Sequence, residues 1–335
     1  MLEQLIPLWN VFLKNKKHKK PLVMATLVKT KGSSYKKKGA MMLVDIKLQT
    51  HGLISGGCLE NDLAAHAETV FSDGNAKVIE YDLSDDSIFG LGAGCDGSIY
   101  VLLQILNIKN SYQPFSLFNP LIEKAQYSCL LININTKSSV FSGYQYICDD
   151  LSQFSDPKIE FDKDLNPKDY CEIELIPPLK IAVVGTGKDI IPICQQIELM
   201  NWHGYILDHR LNRLENYTHF ENINLIKIDL NELSINENLI KPFDAVILIT
   251  HNIDKDVKYL SYFNQFNIPY LGLLGSFGRR DNVLSKAQLS LEGLKNKLYA
   301  PIGLNLGSHS PEQIALSIIA EIQLNINNHS KSRKS

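Results

Sequence analysis

The sequence predicts an α/β protein in two parts, a mixed α/β N-terminal domain followed by a domain built on a parallel sheet. Three observations carry that prediction. The chain has 335 residues, enough for two domains of the usual ~100–200. From Leu179 the run LKIAVVGTGKDIIPICQQIELMNWHGYILDHR restarts as buried strand, glycine turn, helix and second strand ending in Asp208. Between Asn107 and Pro178 the texture differs from both flanks, with alternating polar and aromatic residues and then a charged, proline-punctuated stretch. We therefore place an N-terminal domain at 1–150, a linker at 151–178, a parallel-sheet domain at 179–325 and a disordered tail at 326–335.

In chain order, MLEQLIPLWNVFLKNKKHKK reads as an amphipathic first helix. PLVMATLVKT, GAMMLVD and THGLIS read as strands bounded by turn formers, and Cys58 to about Phe71 as a helix with Leu59, Leu63, Ala67 and Val70 on one face. KVIEYDL returns as a strand, and a glycine-rich loop holding Cys95 leads into another from Ser98. CLLININ and SVFSGYQYIC form a predicted hairpin. In the second half FDAVILIT and IPYLGLLGS are buried strands, and DKDVKYLSYFNQF and GRRDNVLSKAQLSLEG are helices. The last helix opens with Ser310 as N-cap, Pro311 at the first helical position and Gln313 closing a capping box. Strands and helices alternating at this spacing imply a parallel sheet covered on both faces.

Hydrophobic content of 44% and charged content of 21% belong to a globular protein with real cores and exclude a disordered chain. No apolar run reaches the ~18 residues of a membrane span. The apolar part of the N-terminus precedes its basic part, the reverse of a secretory signal. The six cysteines (58, 95, 129, 148, 171 and 194) form no CxxC pair, so a reducing cytoplasm is the expected compartment. Residues 1–40 carry ten lysines and one acid, Glu3, and the rest of the chain is negative. A basic front suits nucleic acid, a membrane surface or a phosphorylated ligand; within it NKKHKK reads as a solvated loop, whereas serines and glycines bracket the lysines of GSSYKKKGA.

Gly185, Gly187 and Asp208 make a strand–GxG–helix–strand–Asp pattern, with the acid 23 positions after the first glycine. This is the spacing at which a Rossmann-like fold brings a pyrophosphate to a helix N-terminus and holds a ribose with the acid. Ile190 stands where the third glycine of the fingerprint belongs. His251 and Asp254 of THNIDKD, and Ser276, Gly278, Arg279 and Arg280 of LGSFGRR, follow buried strands and so fall on the ligand-binding edge of such a sheet. In the first half, Cys58 and Cys95 each sit among glycines at a strand edge, and Cys58 also opens a helix, where the positive dipole end favours a thiolate. The other four cysteines read as small buried hydrophobes. No zinc-type ligand spacing, Ser/His/Asp set or carboxylate pair stands out.

KGSSYKKKGAMMLV, SGGCLE, GLGAGCDGSIYVLL, VVGTGKDIIP, THNIDKD, LGLLGSFGRR and APIGLNLGSHSPEQIALSIIAEI, in this order, resemble the XdhC/CoxI family of accessory proteins for molybdenum hydroxylases. The resemblance implies a cytoplasmic chaperone without turnover of its own. Such a protein binds the molybdenum cofactor (molybdopterin), assists its sulfuration with a cysteine desulfurase and delivers it to an apo-hydroxylase of the xanthine dehydrogenase type. It also implies a homodimer, and neither a nucleic-acid partner nor a membrane span. Carried onto this chain, the candidate cofactor-binding residues are Ser33, Ser34, Gly56, Gly57, Cys58, Cys95, Gly185, Gly187, Asp208, His251, Arg279 and Arg280, with a thiolate at Cys58 or Cys95 as the candidate to meet molybdenum or accept a sulfur. Asp96, the lysines of SYKKKG and Ile190 depart from the family pattern. Two other readings stay open at this point. One is an NAD(P)-dependent oxidoreductase using Gly185, Gly187 and Asp208; the other is an interaction scaffold without a small ligand.

Overall fold

The computed structural model describes residues 4–32, 34–83, 97–118, 128–134, 147–148, 170–228, 243–294 and 298–332. The chain divides into two compact units, Met1–Pro177 and Pro178–Ser335. Each is described by itself.

The first unit is built on an antiparallel five-stranded sheet. Its strands are β1 (Leu22–Gly32), β2 (Met41–Asp45), β3 (Thr50–Gly52), β4 (Lys77–Asp82) and β5 (Gly97–Leu106), in the order β3-β2-β1-β5-β4. The first seven residues of the central strand β1 are all buried because both faces are covered. Val23, Ala25 and Leu27 pack with Leu63, Ala67 and Val70 of helix α2 (Glu60–Asp73), the period-3.6 face expected from the sequence. Leu22, Met24 and Val28 point the other way, into a core with Leu8 and Phe12 of helix α1 (Ile6–Lys17) and with Phe115 and Phe118. Phe12 is the hub of that core, its ring 4.9 Å from Trp9 and 4.8 Å from Phe115.

A second, three-stranded sheet closes the same core. β6 (Ser128–Asn133) pairs with β7 (Ile147–Cys148) as the predicted hairpin, and with β8 (Tyr170–Leu175) on its other side. β8 lies inside the segment expected to be a linker, which is a correction. Cys171, Ile173 and Leu175 alternate inward into the core between acidic residues, so a stretch that reads as charged is half of a buried strand.

The second unit is a doubly wound parallel sheet. Its strands are β9 (Lys180–Val184), β10 (His203–Asp208), β11 (Ile223–Lys227), β12 (Ala245–Leu248), β13 (Tyr270–Leu273) and β14 (Leu298–Tyr299). The order β11-β10-β9-β12-β13-β14 reverses direction between β9 and β12. Alternation sorts the side chains of β9 onto two cores. Ile181 and Val183 meet α3 (Ile191–Leu199) and α6 (Pro311–Ser332), whereas Ala182 and Val184 meet the core of α4 (Ile253–Phe263) and α5 (Phe277–Ala287). The expected capping box forms: Ser310 Oγ accepts from Gln313 N at 3.3 Å, and Gln313 Oε1 accepts from Ser310 N at 3.3 Å. Helix α6 continues to Ser332, where a disordered tail was expected to begin at 326; Ile322 and Ile326 still pack on the core, so the helix has a buried stripe well into its length.

Removing the Phe12 ring should leave a cavity at the meeting point of α1, β1 and the Phe115 segment. Phe12→Ala is expected to lower the stability of the first unit by ~3–5 kcal/mol, measured by chemical denaturation of the full chain.

Candidate functional site

In the first unit the backbone leaves β3 at Gly52 and turns through Ser55, Gly56, Gly57 and Cys58 before α2 begins. Gly56 and Gly57 take φ +88° and +116°, values that a side chain would strain. The turn closes around one carboxylate. Glu60 Oε1 accepts from Ile54 N at 2.9 Å and Ser55 N at 2.8 Å, and Oε2 accepts from Ser55 Oγ at 2.7 Å and Gly57 N at 3.0 Å. Ser55 Oγ in turn accepts from Leu59 N at 2.8 Å. Glu60 is buried, and burial pushes its carboxyl up; the hydrogen bonds from Ser55 and Ile54 more than offset this and hold it below the usual carboxylate range.

The loop thereby holds Cys58 outward. Its thiol is free and exposed, whereas Cys171 and Cys194 are buried, as expected for small hydrophobes. Burial pushes the Cys171 thiol up to about 11 and the Cys194 thiol up to about 12. Among the described residues nothing stands within 4 Å of where a Gly57 Cβ would be, so the turn leaves room next to Cys58. The N–H of Gly57 is engaged by Glu60, so this glycine supplies room rather than a donor.

The serine–lysine motif meets this loop through Tyr35, whose ring lies 3.4 Å from the Cβ position of Gly56. Ser34 Oγ donates to Lys36 O at 2.7 Å, which shapes the turn, and Lys36 Nζ stands 5.7 Å from the Tyr35 ring centre. Ser33, Cys95 and Asp96 lie outside the described residues. Among the described residues no group of three or more His, Cys, Asp or Glu side chains forms a metal cluster.

In the second unit the remaining candidate residues do come to one edge, the carboxyl ends of β9, β10, β12 and β13. Gly185 has φ +130°, and a Cβ on it would run into the carbonyl oxygen of Ile249, so only glycine lets the β9 turn pass the end of β12. Asp208 is buried at 3% exposure and is already engaged: Thr186 Oγ1 donates to it at 2.6 Å, Arg210 N at 2.9 Å, Arg210 Nε at 2.9 Å and Arg210 Nη2 at 2.8 Å. Burial pushes its carboxyl up, and the Arg210 and Thr186 hydrogen bonds outweigh that, holding it well below the usual carboxylate range. His251, with φ +55°, lies 2.8 Å from Asp189. Asp189 Oδ1 itself occupies the space that a Gly187 Cβ would need, so a carboxylate lies over the second glycine.

Arg279 is held by buried Asp256 through Nη2 at 2.5 Å and Nε at 3.2 Å, and Thr250 Oγ1 donates to the same carboxylate at 2.5 Å. Arg280 pairs with Asp281 at 2.7 Å and stands over the Phe277 ring. Sequence reasoning missed the partners: Glu60, Asp189, Arg210, Thr186 and Asp256. Glu60 had a signal, as the last residue of SGGCLE; the others are ordinary residues until the fold places them.

Two outcomes follow from this geometry. Glu60 stabilises the fold above its unfolded pKa of ~4.3, and that contribution is lost as pH falls through its lower folded value. Glu60→Gln should therefore cost ~1–3 kcal/mol at neutral pH, with the gap to wild type closing below about pH 4 in urea titrations. In a Cys95→Ala background, Cys58 should react with a thiol reagent in the folded protein, and Cys171 and Cys194 only on unfolding. Mass mapping of labelled peptides assigns the label to Cys58, Cys171 or Cys194 one by one.

Similarity to known proteins follows the same two units. Residues 16–82 match the model of the XdhC and CoxI family, and residues 181–322 match that of the XdhC Rossmann domain. A protein of Bacillus subtilis strain 168, named as a probable subunit of xanthine dehydrogenase, is 28% identical over 314 residues, 90% of this chain and 92% of its own. The uncharacterized protein YqeB of Escherichia coli strain K12 is 37% identical over 87 residues, 25% of this chain and 15% of its own. A crystal structure described as a xanthine dehydrogenase from Bacillus halodurans superposes with a TM-score of 0.78 at 27% identity, covering 95% of both chains. With both of its domain types present and in order, the chain belongs to the XdhC/CoxI family.

Proposed function

We propose that this protein is an accessory factor of a xanthine-dehydrogenase-type molybdenum hydroxylase, which holds the molybdenum cofactor and passes it to the apo-enzyme. Membership of the family and the names of its relatives support the accessory role. The observation that carries the cofactor reading is Cys58, a free, exposed thiol on a loop whose backbone is fastened to Glu60.

The donor set fits such a group. A molybdenum centre bound by a dithiolene takes soft ligands, and a thiolate is one. Gly57 leaves room next to Cys58 among the described residues; Tyr35 borders the same loop at Gly56 and Lys36 stands over its ring, a cation for an anionic ligand. Cys58 would contact the metal or its sulfur, Glu60 and Ser55 would keep the thiol aimed outward, and Ser34 would shape the lysine turn. When bound, the group supplies the redox chemistry of its eventual host. Help from a cysteine desulfurase, a second copy of the chain and a cytoplasmic setting belong to the same proposal. Among the described residues no helix is long and apolar enough to cross a membrane.

The NAD(P)-dependent oxidoreductase is the weaker reading. Its ribose acid, Asp208, is engaged by Arg210 and Thr186, and Asp189 covers the glycine turn where a pyrophosphate would lie.

Expression in a cofactor-producing host should give protein with bound molybdenum and pterin, read by metal analysis and pterin fluorescence. Cys58→Ala should lose most of both while keeping its unfolding midpoint, because the side chain is exposed. Wild-type protein that folds yet never carries pterin or molybdenum would overturn the carrier role; full retention in both Cys58→Ala and Cys95→Ala would remove the thiols from it.

A further inference from the structure

We propose that the second unit carries a phosphomonoester site at the carboxyl end of β10, formed by Arg210, Arg213 and Lys255 around His209. It goes beyond the cofactor-carrier reading and does not depend on it.

Topology supplies the address. In the order β11-β10-β9-β12, β9 is the first strand of the nucleotide-binding arrangement and β10 the second. The end of that second strand is where such folds meet a ribose, and where a nearby arginine accommodates a 2′-phosphate. Here Arg210 stands two residues beyond the strand-terminal Asp208.

The side chains supply the charge. Lys255, from the first turn of α4, reaches back to His209 Nε2 at 3.2 Å. A lysine ammonium can only donate, so Nε2 accepts, and Nδ1 then carries the proton, 3.0 Å from Asp208 Oδ1. His209 is thus a neutral imidazole with a fixed tautomer, a spacer between a buried carboxylate and an ammonium. Burial holds its pKa below the usual value, and Asp208 works against this. Arg213 follows one turn after Arg210, its N donating to Arg210 O at 3.2 Å, so Arg210, Arg213 and Lys255 share this strand end. Arg210 is matched by Asp208. Neither Lys255 nor Arg213 takes part in an ion pair among the described residues, so about two positive charges remain for a ligand. A phosphomonoester near neutral pH carries close to two negative charges.

The neighbouring glycine turn disfavours the usual alternative. A diphosphate over Gly187 would meet the carboxylate of Asp189, which His251 holds in place. Pro192, in the first turn of α3, removes one of the N–H donors that such a site uses. An anion is therefore favoured on the β10 side and opposed at the glycines. The site should prefer a terminal phosphate to a bridging one, whether a nucleoside carries it or it is free.

The test uses the full chain and calorimetric titration with 2′,5′-ADP, NADP+, NAD+ and inorganic phosphate. The ligands with a terminal phosphate should bind, and NAD+ should bind roughly tenfold more weakly than NADP+ or worse, the scale of one charge-assisted hydrogen bond. Tighter binding of 2′,5′-ADP than of inorganic phosphate identifies a nucleoside-borne ligand; equal binding identifies the phosphate alone. Arg213→Gln, on an exposed side chain, and Lys255→Met should each weaken 2′,5′-ADP about tenfold without moving the unfolding midpoint. NAD+ binding as tightly as NADP+, affinities unchanged in both variants, or no phosphomonoester binding at millimolar concentration would each overturn the site.

Discussion

Both units are organised by a central strand that has to be buried on both faces. β1 carries Leu22, Met24 and Val28 to one side and Val23, Ala25 and Leu27 to the other; β9 does the same with Ile181 and Val183 against Ala182 and Val184. Such a strand cannot lie at a surface, since every Val, Leu, Ile or Met side chain left in water forfeits ~1.5–3 kcal/mol of transfer free energy. It must have a layer above and a layer below. In the first unit these are α2 on one side and α1 with the β6–β8 sheet on the other; in the second they are the α3–α6 and α4–α5 pairs. Once the layers are set, the strand ends and their loops are carried to defined positions, and the chemistry sits there.

Buried carboxylates then fasten those loops. Glu60 gathers the cysteine turn, Asp208 ties the β9 turn to the end of β10, and Asp256 joins Thr250 to Arg279. A carboxylate taken out of water is costly unless its lone pairs are met, so each of these sites makes several hydrogen bonds and permits few other loop shapes. The gain is in geometry more than in net stability. Cys58 is held outward on a loop fastened to Glu60. At the sheet edge of the second unit the same device has the opposite effect on a dinucleotide: Asp208 and Asp189, the acids nearest the glycines, are already committed to Arg210 and His251.

A fold of the nucleotide-binding type thus carries its ligand edge in an altered state. Ile190, in place of a third glycine, is fully buried against the α3–α6 core, and Pro192 follows it in the first turn of the helix. At the end of β10, Lys255 meets His209, Arg210 meets Asp208, and Arg213 follows one turn later. Fold and chemistry are separable here: the strand order is that of a dinucleotide domain, while the acids at its edge are already met by Arg210, Thr186 and His251.

Periodicity and turn chemistry are local, and they were legible. The strand–GxG–helix–strand–Asp run, the 3.6-residue face of α2 and the capping box at Ser310 follow from residues a few positions apart, so the sequence by itself determined them. It also marked Cys58, whose flanking glycines announce an unusual backbone, and it separated this thiol from the buried Cys171 and Cys194. What the tertiary structure alone decided are the partnerships between distant residues. Lys255 is 46 positions from His209, Asp189 is 62 from His251, and Arg279 is 23 from Asp256. The strand β8 belongs here too, because its alternation becomes meaningful only when β6 lies beside it. A side chain's charge is written in the sequence, but whether that charge is free or already met depends on which loops the sheet order brings together, and no local pattern encodes that.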